Sequence, residues 1–269
     1  MQHQARKRFG QHFLTDESKI HAIVSTIRPS SLDHILEIGP GLGAITYPLL
    51  SHCARLEVVE IDRDLIAFWQ EKKLPGLVIH QADALQFDFL SWAHDALQTI
   101  QHQGTAGQVK IIGNLPYNIS TPLLFHLMTA LSVVDEQVFM LQKEVVERMV
   151  ARPGDSEYSR LSVMLQMRYE LKECFDVQPS AFEPPPKVNS AVIAMYPKKN
   201  QVIEPAVWSA LESLVGKAFS QRRKVLANNL GEYKDLLQLD QTTLRARAQE
   251  ISGEQYLYWA RQLAQVKLE

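Results

Sequence analysis

The sequence predicts an α/β fold followed by a smaller helical segment, and three observations carry that expectation. Seven short apolar or alternating runs of strand length are spaced along the first 200 residues, with helical stripes between them. A glycine turn, Gly39-Pro40-Gly41-Leu42-Gly43, follows the first of these runs. Beyond Lys198-Lys199-Asn200 the two-residue alternation stops and only helical stripes remain, such as Val207, Leu211, Leu214 and Val215. A domain boundary is therefore expected near residue 200.

The chain begins with a polar arm that carries Arg6, Lys7 and Arg8. Gly10-Gln11-His12-Phe13-Leu14 reads as a loop ahead of a helix, with Thr15 or Asp16 as its cap and Ile20, Ile23, Val24 and Ile27 as its apolar stripe. His12 taken alone reads as a surface or capping histidine. Residues 35–38 form a first strand that opens into the glycine turn, and Ile45, Leu49 and Leu50 mark a helix beyond it. Glycines let a ligand approach the backbone closely, and a helix N-terminus offers unpaired N–H groups. The spacing is GxGxG after an acid, Glu37, and differs from the GxGxxG of dinucleotide-binding turns. A plain tight turn is the other reading.

Residues 56–62 form a second strand whose acid Glu60 lies about 20 residues past the glycines, a distance that sets a carboxylate over a ribose. Asp62 reads as a turn or helix-capping residue. A third strand, 77–79, leads to Asp83, which either accepts from an adenine amine or caps a helix. A helix and a polar loop fill 87–108. Residues 109–112 form a fourth strand that runs into Gly113-Asn114-Leu115-Pro116-Tyr117-Asn118-Ile119-Ser120. Pro116 pushes Leu115 into extended geometry, which directs the Leu115 carbonyl beside the Asn114 side-chain oxygen. With Tyr117 next in line, the group is a holder for a flat molecule that bears an amino group, and base–aromatic stacking is worth about 1–3 kcal/mol. A strand-to-loop turn with a packed tyrosine is the competing reading.

A helix over 121–131, a strand over 137–142, a helix over 143–150 and turn chemistry at 152–156 follow. Strands are expected at 169–177 and 189–196. Between them Phe182-Glu183-Pro184-Pro185-Pro186-Lys187-Val188 is a stiff, polyproline-like lip, which either holds Phe182 against a base or simply connects two strands. Phe219-Ser220-Gln221-Arg222-Arg223-Lys224 sets three cations on one turn beside an aromatic ring. Such a run is either a solvated face or a grip on phosphates.

Composition narrows the class. Hydrophobic content of 46% and charged content of 22% are those of a globular chain. A net charge of −2 means that a nucleic acid must be met by local patches, because the chain as a whole is not polycationic. Cys53 and Cys174 lack CxxC or Cys/His spacing, so neither a disulfide framework nor a metal site is expected. With no apolar leader and no run near the ~18 apolar residues of a membrane span, the expected location is the cytoplasm.

Gly10 to Leu14, Glu37 to Gly43, Glu60, Asp83, Asn114 to Tyr117 and Phe182 to Val188, taken together, resemble the small-subunit (16S) ribosomal RNA adenine N6,N6-dimethyltransferases, in bacteria the kasugamycin-sensitivity methylases. The resemblance covers about residues 6–230. It implies a Rossmann-like, seven-stranded class I methyltransferase domain over 1–200, with 1–14 as arm and donor-binding loop, and a helical rRNA-contacting domain over 201–269. It implies S-adenosylmethionine as donor and two adjacent adenosines in the 3′-terminal hairpin loop of 16S rRNA, within a partly assembled small subunit, as substrate. No DNA, membrane or metal enters, and a monomer is expected.

The resemblance places His12 and Leu14 near the donor, Gly39 and Gly41 at its amino-acid part, Glu60 on its ribose, Asp83 on its adenine amine and Asn114 at the methyl. Asn114, Leu115, Pro116 and Tyr117 carry the catalytic role, and Phe182, Arg222, Arg223 and Lys224 meet RNA. Many members have Asn where this chain has His12. Dimethylation of large-subunit rRNA, as by the macrolide-resistance methylases, and a non-catalytic assembly factor are the alternatives.

Overall fold

The computed structural model describes residues 12–53 and 55–266. The basic arm, Gly10 and Gln11 lie outside the described residues. The order is β1 (Phe13–Leu14), α1 (Glu17–Ile27), β2 (His34–Ile38), α2 (Thr46–Leu50), β3 (Arg55–Glu60), α3 (Arg63–Lys72), β4 (Leu77–Gln81), α4 (Phe89–His102), β5 (Val109–Asn114), α5 (Ser120–Leu127), β6 (Glu136–Gln142) and α6 (Lys143–Val150). Then come α7 (Arg160–Gln166), β7 (Tyr169–Val177), β8 (Phe182–Glu183), β9 (Ser190–Pro197), α8 (Pro205–Ala218), α9 (Leu226–Leu230), α10 (Gln241–Arg245) and α11 (Gly253–Val266).

The expected seven-stranded sheet is present, in the order β4-β3-β2-β5-β6-β9-β7. β2, β3, β4, β5 and β6 run parallel, and β9 is antiparallel to β6. β2 is buried along its whole length, as a central parallel strand covered on both faces must be. The chain leaves β2 toward β3 and β4, then returns to the other side of β2 as β5. That reversal makes the β2/β5 boundary the switch point, where strand ends leave a crevice for ligands.

A buried cation holds the opposite end of this boundary. Lys110, 2% exposed, lies 3.0 Å from Asp33 Oδ2 and 3.5 Å from Glu136 Oε2. It also donates to the carbonyls of Ile27 at 2.9 Å and Arg28 at 3.1 Å, at the C-terminal end of α1 where the helix dipole favours a positive charge. Asp33 in turn accepts from the Ser30 and Gln108 amides. One ammonium therefore ties α1 and the entries to β2, β5 and β6.

β5 and the segment ahead of α1 differ from the sequence-based expectation. β5 continues through Gly113 and Asn114 instead of ending at 112, because Ile38 and Gly113 pair across the β2/β5 register. A Cβ at Gly113 would stand 2.5 Å from the Ile38 carbonyl oxygen, so this close approach requires glycine. Phe13–Leu14, expected as loop, forms an antiparallel two-residue ladder with Phe182–Glu183.

Contacts divide the described chain into two compact units. One holds the residues through Val146 with Glu170–Pro197, and the other holds Glu147–Tyr169 with Lys198 onward. The helical unit thus recruits α7, a helix that the sequence analysis left unassigned, and is not a single segment after residue 200. Its core contains Tyr158, Tyr256 and Trp259, and Met167 at the end of α7 packs so closely on Gly253 that a Cβ there would lie 2.7 Å from its Cε. Among the described residues no helix is long and apolar enough to cross a membrane.

Removal of one member of a buried ion cluster leaves its partners as uncompensated charges. Lys110→Met is expected to lower stability by about 3–5 kcal/mol in urea unfolding. A loss below about 1 kcal/mol would show that Asp33 and Glu136 are solvated or neutral without the lysine.

Candidate active-site cleft

A cleft of about 680 Å³ opens at the C-terminal ends of β2, β3 and β5, within the range of small-molecule sites. Segments 12–15, 37–48, 59–61, 82–85 and 114–119 line it. Among the described lining residues are the acids Glu17, Glu37, Glu60 and Asp83 and no Lys or Arg. The cleft is thus electrostatically suited to a cation.

The glycine turn forms its floor. Gly41, at φ +55°, lies beneath Phe13, whose ring would be 3.1 Å from a Cβ placed there. Gly43, at φ +96°, is packed by Tyr47 and Trp69 at 2.6 Å from such a Cβ. Trp69 Nε1 donates to the Gly41 carbonyl at 3.1 Å, which braces the turn from behind. α2 starts only at Thr46 and has five residues, so the turn itself, more than a long helix, shapes this wall.

Glu60 ends β3, 6% exposed, and its Oε1 accepts from the Ile61 amide at 2.9 Å and the Asp62 amide at 2.8 Å. Burial pushes its pKa up, and the hydrogen bonds from the Asp62 and Ile61 amides oppose that rise. Asp62 caps α3 by accepting from the Asp64 amide, as expected for it. Asp83 accepts from the Leu85 amide at 2.9 Å through Oδ1 and lines the cleft, but it caps no helix, because α4 begins at Phe89 with Asp88 as its cap.

Asn114 is the last residue of β5, and its Nδ2 donates to the His12 carbonyl at 3.2 Å. That bond uses an amide N–H and leaves the amide oxygen as the acceptor. Leu115 is 1% exposed, its amide donates to the Met140 carbonyl at 3.1 Å, and it lines the cleft between Asn114 and Pro116. The Ile119 amide closes the turn onto the Pro116 carbonyl at 3.2 Å. The Tyr117 hydroxyl meets Ser190 Oγ at 2.7 Å, and burial raises the phenol pKa. The His12 ring is stacked on Tyr117, with centroids 5.8 Å apart, and its Nδ1 bonds the Pro184 carbonyl at 2.8 Å.

His12, Leu14, Gly39, Gly41, Glu60, Asp83 and Asn114 through Tyr117 are therefore gathered at one cleft. Phe182 corrects the expectation of a ring held out for a base. It is 3% exposed and belongs to the apolar cluster of Leu14, Ile23 and Val192, because pairing with Leu14 draws it inward. Arg222, Arg223 and Lys224 are exposed on the turn between Gln221 and α9, with Arg222 Nη2 reaching the Tyr158 carbonyl at 3.5 Å. Ser190 and Thr46 were not foreseen. Each acts through a partner that no local pattern announces.

A family model described as ribosomal RNA adenine dimethylase matches residues 2–265. A ribosomal RNA small subunit methyltransferase A from Bordetella petrii is 50% identical over 258 residues, which cover 95% of this chain and 94% of that one. The protein of the same name from Burkholderia ambifaria is 48% identical over 271 residues, covering 98% and 96%. Among solved structures, a dimethyladenosine transferase from Plasmodium falciparum matches with a TM-score of 0.73 at 23% identity, over 92% of this chain and 96% of that one. The 23S rRNA methyltransferase ErmE matches with a TM-score of 0.64 at 24% identity, over 93% and 99%. At these identities the two structures speak to the fold.

Glu37, 2% exposed, has the most perturbed acid in the cleft. Burial, with Glu60 adding, pushes it up to about 7 from an ordinary 4.5, while the Thr46 hydroxyl at 2.7 Å opposes. Between those two values the folded chain holds a proton that the unfolded chain has released. Stability from this site is therefore complete below pH 4.5 and declines as pH rises through about 7, by up to about 3 kcal/mol. Glu37→Gln keeps an acceptor for Thr46 and is expected to flatten that decline when unfolding is compared near pH 5 and near pH 7.5. Parallel profiles for the variant and the parent would show that Glu37 ionises normally.

Proposed function

The chain belongs to the ribosomal RNA adenine dimethylase family, and on that premise we propose its reaction and the part each residue plays. It is an S-adenosylmethionine-dependent methyltransferase acting on rRNA. Its substrate is a pair of adjacent adenosines in the 3′-terminal hairpin loop of 16S rRNA, within a partly assembled small subunit, and the product is N6,N6-dimethyladenosine. The working form is a cytoplasmic monomer.

The cleft fits such a donor, whose sulfonium and ammonium groups suit a pocket with buried acids and no lining Lys or Arg among the described residues. When bound, the donor supplies a methyl group on a positively charged sulfur. His12 and Leu14 border it, Gly39 and Gly41 bring backbone to its amino-acid part, and Asp83 accepts from its adenine amine. Glu60 takes the ribose hydroxyls: a carboxylate has about four lone-pair sites, and the two amides at Oε1 leave about two to share.

The observation that carries the transfer step is the Asn114 amide, turned by the His12 carbonyl so that its oxygen remains as the acceptor. That oxygen and the Leu115 carbonyl accept from the two N–H groups of the target amine. Held in this way, the nitrogen turns its lone pair out of conjugation with the ring. Pro116 fixes the bend, and Tyr117 stacks on the base. Orientation supplies most of the acceleration. The nitrogen becomes strongly acidic as it gains its methyl, so its proton leaves without a dedicated base. In the helical unit, Arg222, Arg223 and Lys224 contact RNA phosphates, and their exposure supports that role.

With labelled donor, unmethylated small subunits are expected to take up label and large subunits none. Asn114→Ala is expected to abolish uptake while RNA binding persists; label only in the large-subunit RNA would overturn the substrate assignment, and unchanged turnover in the variant would remove the mechanism. Neutralising Arg222, Arg223 and Lys224 together is expected to reduce the dependence of log affinity on log salt by about 0.7–0.9 per lost contact. An unchanged slope would move the phosphate contacts elsewhere.

A further inference from the structure

Ser190 is 0% exposed at the first position of β9, where it pairs with Gln142 of β6. The strand around it is otherwise apolar, running through Ala191, Val192 and Ile193. A buried hydroxyl in such a strand is costly unless it is bonded. Its partner is the Tyr117 hydroxyl at 2.7 Å.

A phenol tied at its oxygen keeps one rotation, about the long axis of the ring. The His12 ring, stacked with its plane 26° from that of Tyr117, restricts this remaining freedom. His12 is itself held at two points, through Nδ1 on the Pro184 carbonyl and through its own carbonyl on Asn114 Nδ2. Pro184 and Ser190 both belong to the short segment that joins β8 to β9 and opens the latter. One stretch of chain therefore anchors both rings, one through a carbonyl and one through a hydroxyl.

Resting on the reading of the cleft given above, we propose that Ser190 is a positioning residue for methyl transfer. It sets the direction of the Tyr117 ring, and His12 backs one ring face so that the plane is fixed before the target adenine arrives. The contribution is preorganisation: an adenine stacked on a ring already in place has its amine delivered to Asn114 without a search over tyrosine rotamers.

The test is a double-mutant cycle of Ser190→Ala and Tyr117→Phe, assayed on unmethylated small subunits with saturating donor. Each single variant keeps the aromatic ring and loses the tether. Each is expected to lower kcat about three- to tenfold, the worth of one hydrogen bond, with donor affinity nearly unchanged; Tyr117→Phe, which leaves the buried Ser190 hydroxyl without its partner, is also expected to lower the melting temperature. The double variant is expected to be no slower than the slower single, because both changes break one contact. Ser190→Thr should restore turnover.

Full kcat in Tyr117→Phe, or losses that multiply in the double variant, would overturn the proposal. Should Ser190→Ala fail to fold, Tyr117→Phe alone decides. Tyr117→Ala separates this inference from the one beneath it. An inactive Tyr117→Ala beside a fully active Tyr117→Phe would keep the base-stacking role and remove the positioning role, whereas a fully active Tyr117→Ala would remove both.

Discussion

The Lys110 ammonium is the constraint on which the arrangement depends. It is buried with Asp33 and Glu136 and capped by two carbonyls at the end of α1, so it satisfies its charge only when β2, β5 and β6 enter the sheet in one register. A slip by one residue would turn the lysine to the other face of the sheet and leave two acids buried without a cation. Register set at that end determines what meets at the other. There Ile38 faces Gly113, and the glycine turn after β2 stands beside Asn114 at the end of β5. The charge and the chemistry lie at opposite ends of the same strands.

From that register the electrostatics of the cleft follow. At the ends of β2 and β3, burial disfavours the ionised forms of Glu37 and Glu60, and a neighbouring carboxylate adds to it in each case, Glu60 on Glu37 and Asp62 on Glu60. A site that holds carboxylates under such pressure gains most from a ligand that brings positive charge. A sulfonium donor does so, and an anionic nucleotide of the same size does not. The glycines allow the approach, while the buried acids select the charge.

The side of the cleft that holds Asn114 and Tyr117 is assembled from segments far apart in the chain. The His12 carbonyl orients the Asn114 amide, Pro184 holds the His12 ring and Ser190 holds Tyr117. The pairing of β1 with β8 brings these pieces together and also draws Phe182 into the core. A ring that looked exposed in sequence became part of the support of the site, and two hydrogen-bonding groups near it took its place beside the cleft.

Much was legible in the sequence because it is written in local patterns. Alternation and helical stripes located the seven strands and most helices, the glycines marked a backbone that a ligand can approach closely, and Asn114-Leu115-Pro116-Tyr117 declared two acceptors and an aromatic ring in consecutive positions. Those features follow from the covalent chain and its nearest neighbours. Only the tertiary structure decided that α7 joins the helical unit, that Lys110 is a buried strut, that Phe182 is interior and that Ser190 meets Tyr117. Each of these depends on groups separated by long stretches of sequence, 73 residues for Ser190 and Tyr117 and 172 for His12 and Pro184. Periodicity reports which face of an element is apolar, but the partner a buried polar group finds is set by where the other elements pack.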